Sequence, residues 1–526
     1  MKHFHIIFKP DDKEISIHAG ATLLEAAGQA GIIINSVCGG KGICKKCLVN
    51  LEPGARQVLA CQYSVQSDLT ITIPASSRYF EQKILEHGID THLGIRPTIH
   101  EKYRAKVSTK KIFGLAVDIG TTTVVAKLIN MVDGQCLATQ AALNPQSRHG
   151  DDVVSRIAYA KTDEKLGQLH ELIIDCINSL IAKLCKQTSI DAEQIYEMCV
   201  VGNTTMNHLF LKLPVKQLGL APYKAFSLDA HDTPAAQLNL NINPAGNVHT
   251  VENIAGFVGS DTTAVALATG VDSVEEMSLV VDIGTNGEIV LGTKDKLYAA
   301  SCAAGPALEG ARISCGSRAA VGAIEAVVVN HGDIVVDVIG NHPPRSICGS
   351  GLLDAVAVML NLGIVDKSGR FIRPNNLSPA IVSRIIEQDK QWSFYLFRAA
   401  NVSERSVFLT QKDIREVQLA KAAIQAGIKI LQRKLGIEDA DVQQILLAGA
   451  FGNYIRPKSA LRIGLLPNVP LERIRFVGNA ASSGAQMILL SSALRAEAKR
   501  LARKIEYIEI AHEPDFQTVF AESMPF

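Results

Sequence analysis

The chain lacks several things. No uninterrupted apolar run is long enough to span a bilayer. The opening residues, MKHFHIIFKPDDKE, meet acidic side chains before an apolar signal core can form. Net charge is also missing: 53 Lys+Arg stand against 52 Asp+Glu, giving +1. That balance supplies no general electrostatic reason to expect a nucleic acid or an anionic membrane as partner. These absences predict a cytoplasmic protein. Eleven cysteines in such a compartment point to metal binding or plain burial, not to disulfides.

What is present is a well-apolar chain of 526 residues, 47% hydrophobic and 20% charged, long enough for two to four domains. Residues 1–75 read as a small strand-rich unit. His3–Phe8 and Glu14–His18 are expected strands joined by a Pro-Asp-Asp turn, Thr22–Ala30 a short helix, and 48–51 and 69–73 further strands ended by Pro74. Residues 76–110 are polar and without strong periodicity, so they read as a linker with at most one helix, a tether for the N-terminal unit. From Lys111 onward strands and helices alternate, the pattern of α/β architecture.

Four cysteines cluster as CGGKGICKKC followed by LAC: Cys38, Cys44, Cys47 and Cys61. Four thiolates can hold zinc or an iron–sulfur cluster. Structural zinc sites usually use two CxxC-type knuckles, and here only the second gap is two residues. The longer first gap carries Gly39, Gly40 and Gly42, which allow a backbone to wrap closely around inorganic sulfides. The spacing has one residue more than the plant-type pattern and resembles the adrenodoxin-type [2Fe–2S] ferredoxins, whose β-grasp fold matches the strand–strand–helix prelude. The other seven cysteines read as buried thiols.

The chain also echoes itself. AVDIGTTTVV at 116–125 resembles VVDIGTNGEIV at 280–290. VVGNTT at 200–205 and LLAGAFGN at 446–453 form a looser pair, each a glycine-bearing turn after an apolar run. Two matched pairs at domain-scale separation suggest a duplicated fold, with lobes over 111–278 and 279–526. Each DIGT segment reads as strand–turn–strand, unlike a Walker A loop, and the GK[ST] lysine is absent. In such hairpins, glycine and threonine amides and hydroxyls can hold phosphate oxygens, and a strand-end aspartate can hold Mg²⁺ through water. The candidates are Asp118, Gly120, Thr121 and Thr122 in the first hairpin, and Asp282, Gly284, Thr285 and Asn286 in the second. Gly449 and Gly452 follow the run 445–448 and suit a helix N-terminus near an adenosine. Tight hairpins also need glycine for purely structural reasons. Asp261, Glu309, Arg312 and Asp354, on other glycine-bearing turns, fit a cleft lining or ordinary loop and cap positions equally well.

These motifs, in this order, resemble the reductive activators of corrinoid-dependent methyltransferase systems. The likeness runs from CGGKGICKKC through AVDIGTTTVV, VVGNTTMNHL, ENIAGFVGSD, VVDIGTNGEIVLG, AAGPALEGARISCG and ICGSGLLD to LAGAFGNYI, nearly the whole chain. No cysteine follows Cys348, which sets it apart from relatives with C-terminal [4Fe–4S] clusters. The resemblance implies an α/β and α+β multidomain protein: a β-grasp [2Fe–2S] ferredoxin domain, then a two-lobed actin-like ATPase fold of the sugar kinase/Hsp70/actin type. It implies reduction of a corrinoid protein from inactive Co(II) to methyl-accepting Co(I), driven by ATP with Mg²⁺. Cys38, Cys44, Cys47 and Cys61 would ligate the cluster. Asp118 and Asp282 with their turns would hold phosphate and Mg²⁺, and Gly449 and Gly452 would belong to the adenosine motif. Partners would be the corrinoid protein and an electron donor of ferredoxin or flavodoxin type; a homodimer is compatible, though no interface is legible. Two other functions share these features: a redox-regulated small-molecule kinase, and an electron-transfer protein with a degenerate nucleotide fold. The kinase needs a carboxylate base facing a substrate pocket, and no residue announces itself as one.

Overall fold

The computed structural model describes residues 2–10, 12–30, 32, 34, 42, 45, 47–54, 56–74, 77, 95, 97–98, 112–284, 286–388, 391–399, 405–449 and 455–526. The expected linker falls almost wholly outside them.

Alternating apolar residues make the N-terminal sheet. β1 (His3–Lys9) buries Ile6 and Phe8, and β2 (Lys13–His18) pairs with it antiparallel. β3 (Leu48–Glu52), β4 (Arg56–Leu59) and β5 (Leu69–Thr72) complete a five-stranded sheet of order β2-β1-β5-β3-β4. β1 and β5 run parallel, and helix α1 (Leu23–Gln29) lies against the sheet. Its start is set by a capping box: Thr22 Oγ1 accepts from the Glu25 amide at 3.1 Å, and the Thr22 amide donates to Glu25 Oε2 at 2.7 Å. The short strand β4 is the element the sequence pattern did not announce.

The first lobe is a six-stranded sheet of β6 (Phe113–Ile119), β7 (Thr123–Asn130), β8 (Cys136–Leu143), β9 (Ile195–Gly202), β10 (His231–Pro234) and β11 (Asn247–Thr250). Its order is β10-β11-β9-β6-β7-β8. Helices α2 (Val153–Tyr159), α3 (Asp163–Thr188) and α4 (Thr204–Phe210) pack on one face. Leu166, Leu169, Ile173, Ile177, Leu180 and Leu184 form the buried stripe of α3 at helical spacing.

Helix α5 (Ser260–Thr269) leads to the second lobe, which has β12 (Ser278–Ile283), β13 (Gly287–Gly292) and β14 (Leu297–Cys302) as antiparallel neighbours. Two three-stranded sheets are inserted. One has β15 (Ala323–Asn330), β16 (Asp333–Val338) and β17 (Ser346–Ile347); the other has β18 (Ile385–Gln388), β19 (Gln391–Phe397) and β20 (Val407–Thr410). The simple strand–helix alternation expected past Lys111 did not foresee them. Helices α6 (Gly349–Asn361) and α7 (Gln411–Leu435) cover the lobe's outer side, and β21 (Gln444–Ala448), β22 (Ile474–Gly478) and β23 (Glu506–Tyr507) close the main sheet. Its order is β22-β21-β12-β13-β14-β23.

The duplication is explicit in these orders. In both lobes the first strand of an antiparallel meander pairs in parallel with the strand that follows a long connection. Helices α5 and α8 (Ala480–Leu490) cross between the lobes and join the inner faces of both sheets in one core. At the crossing Gly484 is required, because a Cβ there would meet the Ala264 carbonyl oxygen at 2.2 Å. Helix α9 (Ser492–Lys504) follows, and its Arg495 Nη2 donates to the buried Glu197 Oε1 on β9 at 2.5 Å.

Candidate functional site

Asp118 and Asp282 hold equivalent places. Each is the penultimate residue of a buried strand, flanked by an antiparallel partner on one side and a parallel one on the other. Asp118 lies opposite Val125 and Val201, and Asp282 opposite Glu288 and Ala448. After each aspartate the chain turns tightly. The Gly120 amide donates to the Thr123 carbonyl at 3.0 Å, and the Gly284 amide to the Asn286 carbonyl at 3.0 Å. A Cβ on Gly120 would meet that Thr123 oxygen at 2.7 Å, so the first turn demands glycine.

A layer behind the first hairpin fixes it. Asn144 Nδ2 donates to the Gly120 carbonyl at 2.9 Å. Arg156, fully buried on α2, donates from Nη2 to the Thr121 carbonyl at 2.5 Å and from Nε to the Gly150 carbonyl at 2.9 Å. Asn203, the N-cap of α4, donates from Nδ2 to Thr121 Oγ1 at 3.0 Å while its Oδ1 accepts from the Met206 amide. Across the cleft, Thr122 Oγ1 lies 3.4 Å from Glu309 Oε2, so the lobes meet at the tip of the hairpin.

Both hairpins open onto one cavity of about 490 Å³. Asp118, Gly120, Thr121, Thr122, Asp282, Gly284, Asn286 and Gly449 all line it. Thr285, Gly452, Cys38 and Cys44 lie outside the described residues. Gly449 adopts φ +88°, and a Cβ there would come within 2.5 Å of Asp282 Oδ1. Of the less specific candidates, Asp261 and Glu309 line the cavity, and Arg312 and Asp354 do not. Arg312 is exposed on its turn, while Asp354 is buried in α6, accepting from Ser459 Oγ at 2.6 Å and pairing with Arg456.

The cavity is strongly acidic. Asp118, Asp261, Asp282, Glu288, Glu309 and Glu325 face Arg318, the one basic side chain among its described lining residues. Burial pushes Asp118 up to about 7, helped by the charge of Asp261 and opposed by a hydrogen bond from Asn479. Burial likewise raises Asp282 to about 7, with Asp261 and Asp118 adding to it, and raises Asp261 to about 6 against hydrogen bonds from Thr262. Glu288 is raised well above the usual range by burial, then by Asp261 and Asp282. Carboxyls packed this way hold protons unless a cation enters.

In the N-terminal unit, Cys47 and Cys61 are buried with sulfurs 3.4 Å apart, Cys47 just before β3 and Cys61 just after β4. Two convergent cysteine sulfurs at the edge of a β-grasp sheet fit the ligand set of an iron–sulfur cluster. Among the described residues, Cys302, Cys315 and Cys348 belong to no group of three or more His, Cys, Asp or Glu side chains placed to hold a metal ion. Of the seven remaining thiols, Cys199, Cys302 and Cys348 are buried, Cys176, Cys185 and Cys315 are half-buried, and Cys136 is exposed, against expectation.

Sequence reasoning missed Arg156, Asn144, Asn479 and Glu325. Asn479 is an N-cap before the buried helix α8, a signal available in GNAASSG. Arg156 had none, because its partners, the Thr121 and Gly150 carbonyls and the side chains of Gln146 and Met206, are brought to it by the fold.

Matched lobes around an acidic cleft, preceded by a cluster-binding unit, define an ASKHA-type protein that carries a ferredoxin domain. Residues 276–526 match the family described as the C-terminal domain of RACo, the ASKHA domain, residues 113–274 match the RACo middle region, and residues 7–66 match the 2Fe-2S iron-sulfur cluster binding domain. The corrinoid activation enzyme RamQ of Eubacterium limosum is 36% identical over 99% of this chain and 99% of that protein. The [Co(II) methylated amine-specific corrinoid protein] reductase of Methanosarcina barkeri is 25% identical over 75% of this chain and 73% of its own. A solved structure, of a reductive activator for corrinoid, iron-sulfur protein, superposes with TM-score 0.74 at 32% identity, covering 99% and 98% of the two chains. The chain belongs to the family of reductive corrinoid activators. No helix among its described residues is long and apolar enough to cross a membrane.

Proposed function

We propose that this chain reduces a corrinoid protein from Co(II) to Co(I), using Mg-ATP held between its lobes to drive the transfer. The observation that carries this reading is the pair of equivalent aspartates in one buried cleft, with carboxyl groups raised to about 7 by burial and by the charge of Asp261, which lines the same cavity. In this reading Asp118 and Asp282 hold Mg²⁺ through water. The turns Gly120–Thr122 and Gly284–Asn286 offer amides and hydroxyls to the phosphates. Gly449 and Gly452 let the chain come close to the adenosine. Cys38, Cys44, Cys47 and Cys61 ligate the [2Fe–2S] cluster, which when bound supplies the one electron the cobalt gains.

The division of labour follows the chain: ferredoxin unit to residue 75, linker over 76–110, first lobe over 111–278, second lobe from 279. Nucleotide is needed because each 100 mV by which the cluster lies above the cobalt couple costs one electron about 2.3 kcal/mol. Closure on ATP, touching both hairpins, gives the differential contacts a two-state cleft requires. A ferredoxin- or flavodoxin-type protein would reload the cluster, in the cytoplasm, and a homodimer is compatible with this reading.

The test is ADP release by the cluster-loaded chain with and without a corrinoid protein. Release that rises with the corrinoid protein and is lost in Asp282→Ala, with the cluster spectrum intact, supports the reading. Release that instead follows a small phosphoryl acceptor favours the kinase. No nucleotide binding at all favours a plain electron carrier.

A further inference from the structure

The ferredoxin unit is joined to the second lobe on one short segment. His3, at the head of β1, shares a 2.5 Å hydrogen bond with Oδ1 of Asp337 on β16, and the Asp337 side chain is 6% exposed. Four residues on, Asn341 Nδ2 donates to Ser16 Oγ of β2 at 2.9 Å. Between them lies Ile339, which lines the acidic cavity and whose carbonyl accepts the Gly322 amide at 2.9 Å. The stretch 337–341 therefore touches the ferredoxin unit at both ends and the cleft in its middle.

A second observation links the same two places. Glu325, on β15 beside β16, lines the cavity, and its carboxyl is raised to about 7 first by burial and then by the charge of Asp337. Glu325 therefore stands between the cleft and the residue that holds His3.

The edge used for docking also matters. In the order β2-β1-β5-β3-β4 the clasp takes β1 and β2, while Cys47 precedes β3 and Cys61 follows β4. Docking engages the β2–β1 edge of the sheet, and Cys47 and Cys61 flank the strands of the opposite edge.

We propose that residues 337–341 are a clasp that docks the ferredoxin unit on the second lobe by its β2–β1 edge, and that nucleotide in the cleft tightens this clasp. The proposal rests on the reading of the cleft as a nucleotide site. A nucleotide that contacts Ile339 orders the segment, so docking then costs less conformational freedom. Linkage makes the effect reciprocal: docking raises nucleotide affinity by the same factor, about fivefold or more for an ordinary coupling.

The experiment is amide hydrogen exchange on the full, cluster-loaded chain, with and without a saturating non-hydrolysable Mg-ATP analogue whose binding is measured by calorimetry. Exchange in 3–18 and 333–341 is expected to slow severalfold with nucleotide. In His3→Ala/Asn341→Ala the slowing in 3–18 disappears while that in 113–130 persists, and the analogue binds about fivefold more weakly. Should the double variant misfold, Asn341→Ala alone carries the same comparison. Analogue binding with unchanged or faster exchange in 3–18, or slowing that survives in the variant, overturns the clasp and leaves the nucleotide site standing. Absence of binding overturns both.

Discussion

Replacing Gly449 by alanine isolates the contact on which the cleft depends. Gly449 adopts φ +88°, so any side chain there carries the left-handed penalty of about 1–2 kcal/mol. The new Cβ would also lie 2.5 Å from Asp282 Oδ1 and 3.0 Å from the Ile283 carbonyl oxygen, and relieving such overpacking costs about 1–3 kcal/mol more. The proper control is Gly436, the left-handed residue after α7 at φ +69°, whose added Cβ would meet nothing within 4 Å. Gly436→Ala therefore suffers the backbone penalty alone. The two variants separate strain from displacement of Asp282. Calorimetry with Mg-ATP is the assay, and the visible spectrum of the cluster checks that the ferredoxin unit is intact. A shift of Asp282 that removes about 1.4 kcal/mol of binding lowers affinity tenfold. Gly449→Ala is expected to lose at least that much, and Gly436→Ala to remain within about twofold of the wild type. Wild-type affinity in Gly449→Ala would refute the argument that this glycine exists to let Asp282 face the cleft.

Arg156→Ala strips donors from the Thr121 and Gly150 carbonyls and should destabilise the first lobe by about 3 kcal/mol, read by denaturant unfolding; Arg156→Lys should not restore it, lacking the planar fork. Asp118 and Asp282, at about 7 in the nucleotide-free fold against about 4 unfolded, bind extra protons when folded. Their stabilisation of the empty protein is complete below pH ~4 and is lost as pH rises through 7, while Mg-ATP affinity increases from pH 6 to 8 as the competing protons leave. An affinity that stays flat over that range, measured by calorimetry, contradicts the cation-site reading. Cys61→Ser should abolish the cluster's visible absorption and leave Mg-ATP binding unchanged.

The parts legible in the sequence were those fixed by local chemistry. A glycine turn at Gly120, an aspartate at the end of a buried strand and a short helix following Thr22 are all short-range, and each lies where its residues implied. The duplicated topology was legible because both lobes repeat the same strand–turn–strand wording. What stayed hidden was long-range. Arg156 reaches Thr121, 35 residues away, through a backbone carbonyl. Asn479 approaches Asp118 only because α8 crosses back to the first lobe. Asp354 in ICGSGLLD, which fitted a cleft lining and a loop or cap position equally, turned inward because Ser459 and Arg456 come to meet it from a distant part of the chain. The strands β15–β20 lacked a partner motif elsewhere in the chain, so the repeat that exposed the lobes could not expose them.

The central claim is that nucleotide binding drives an uphill electron transfer to cobalt. It is tested most directly by following the Co(II) to Co(I) absorbance change of a corrinoid protein, without oxygen, with the cluster of the activator reduced beforehand. The account predicts that Co(I) accumulates when Mg-ATP is added and fails to accumulate without it. Equal formation of Co(I) in both samples would contradict it.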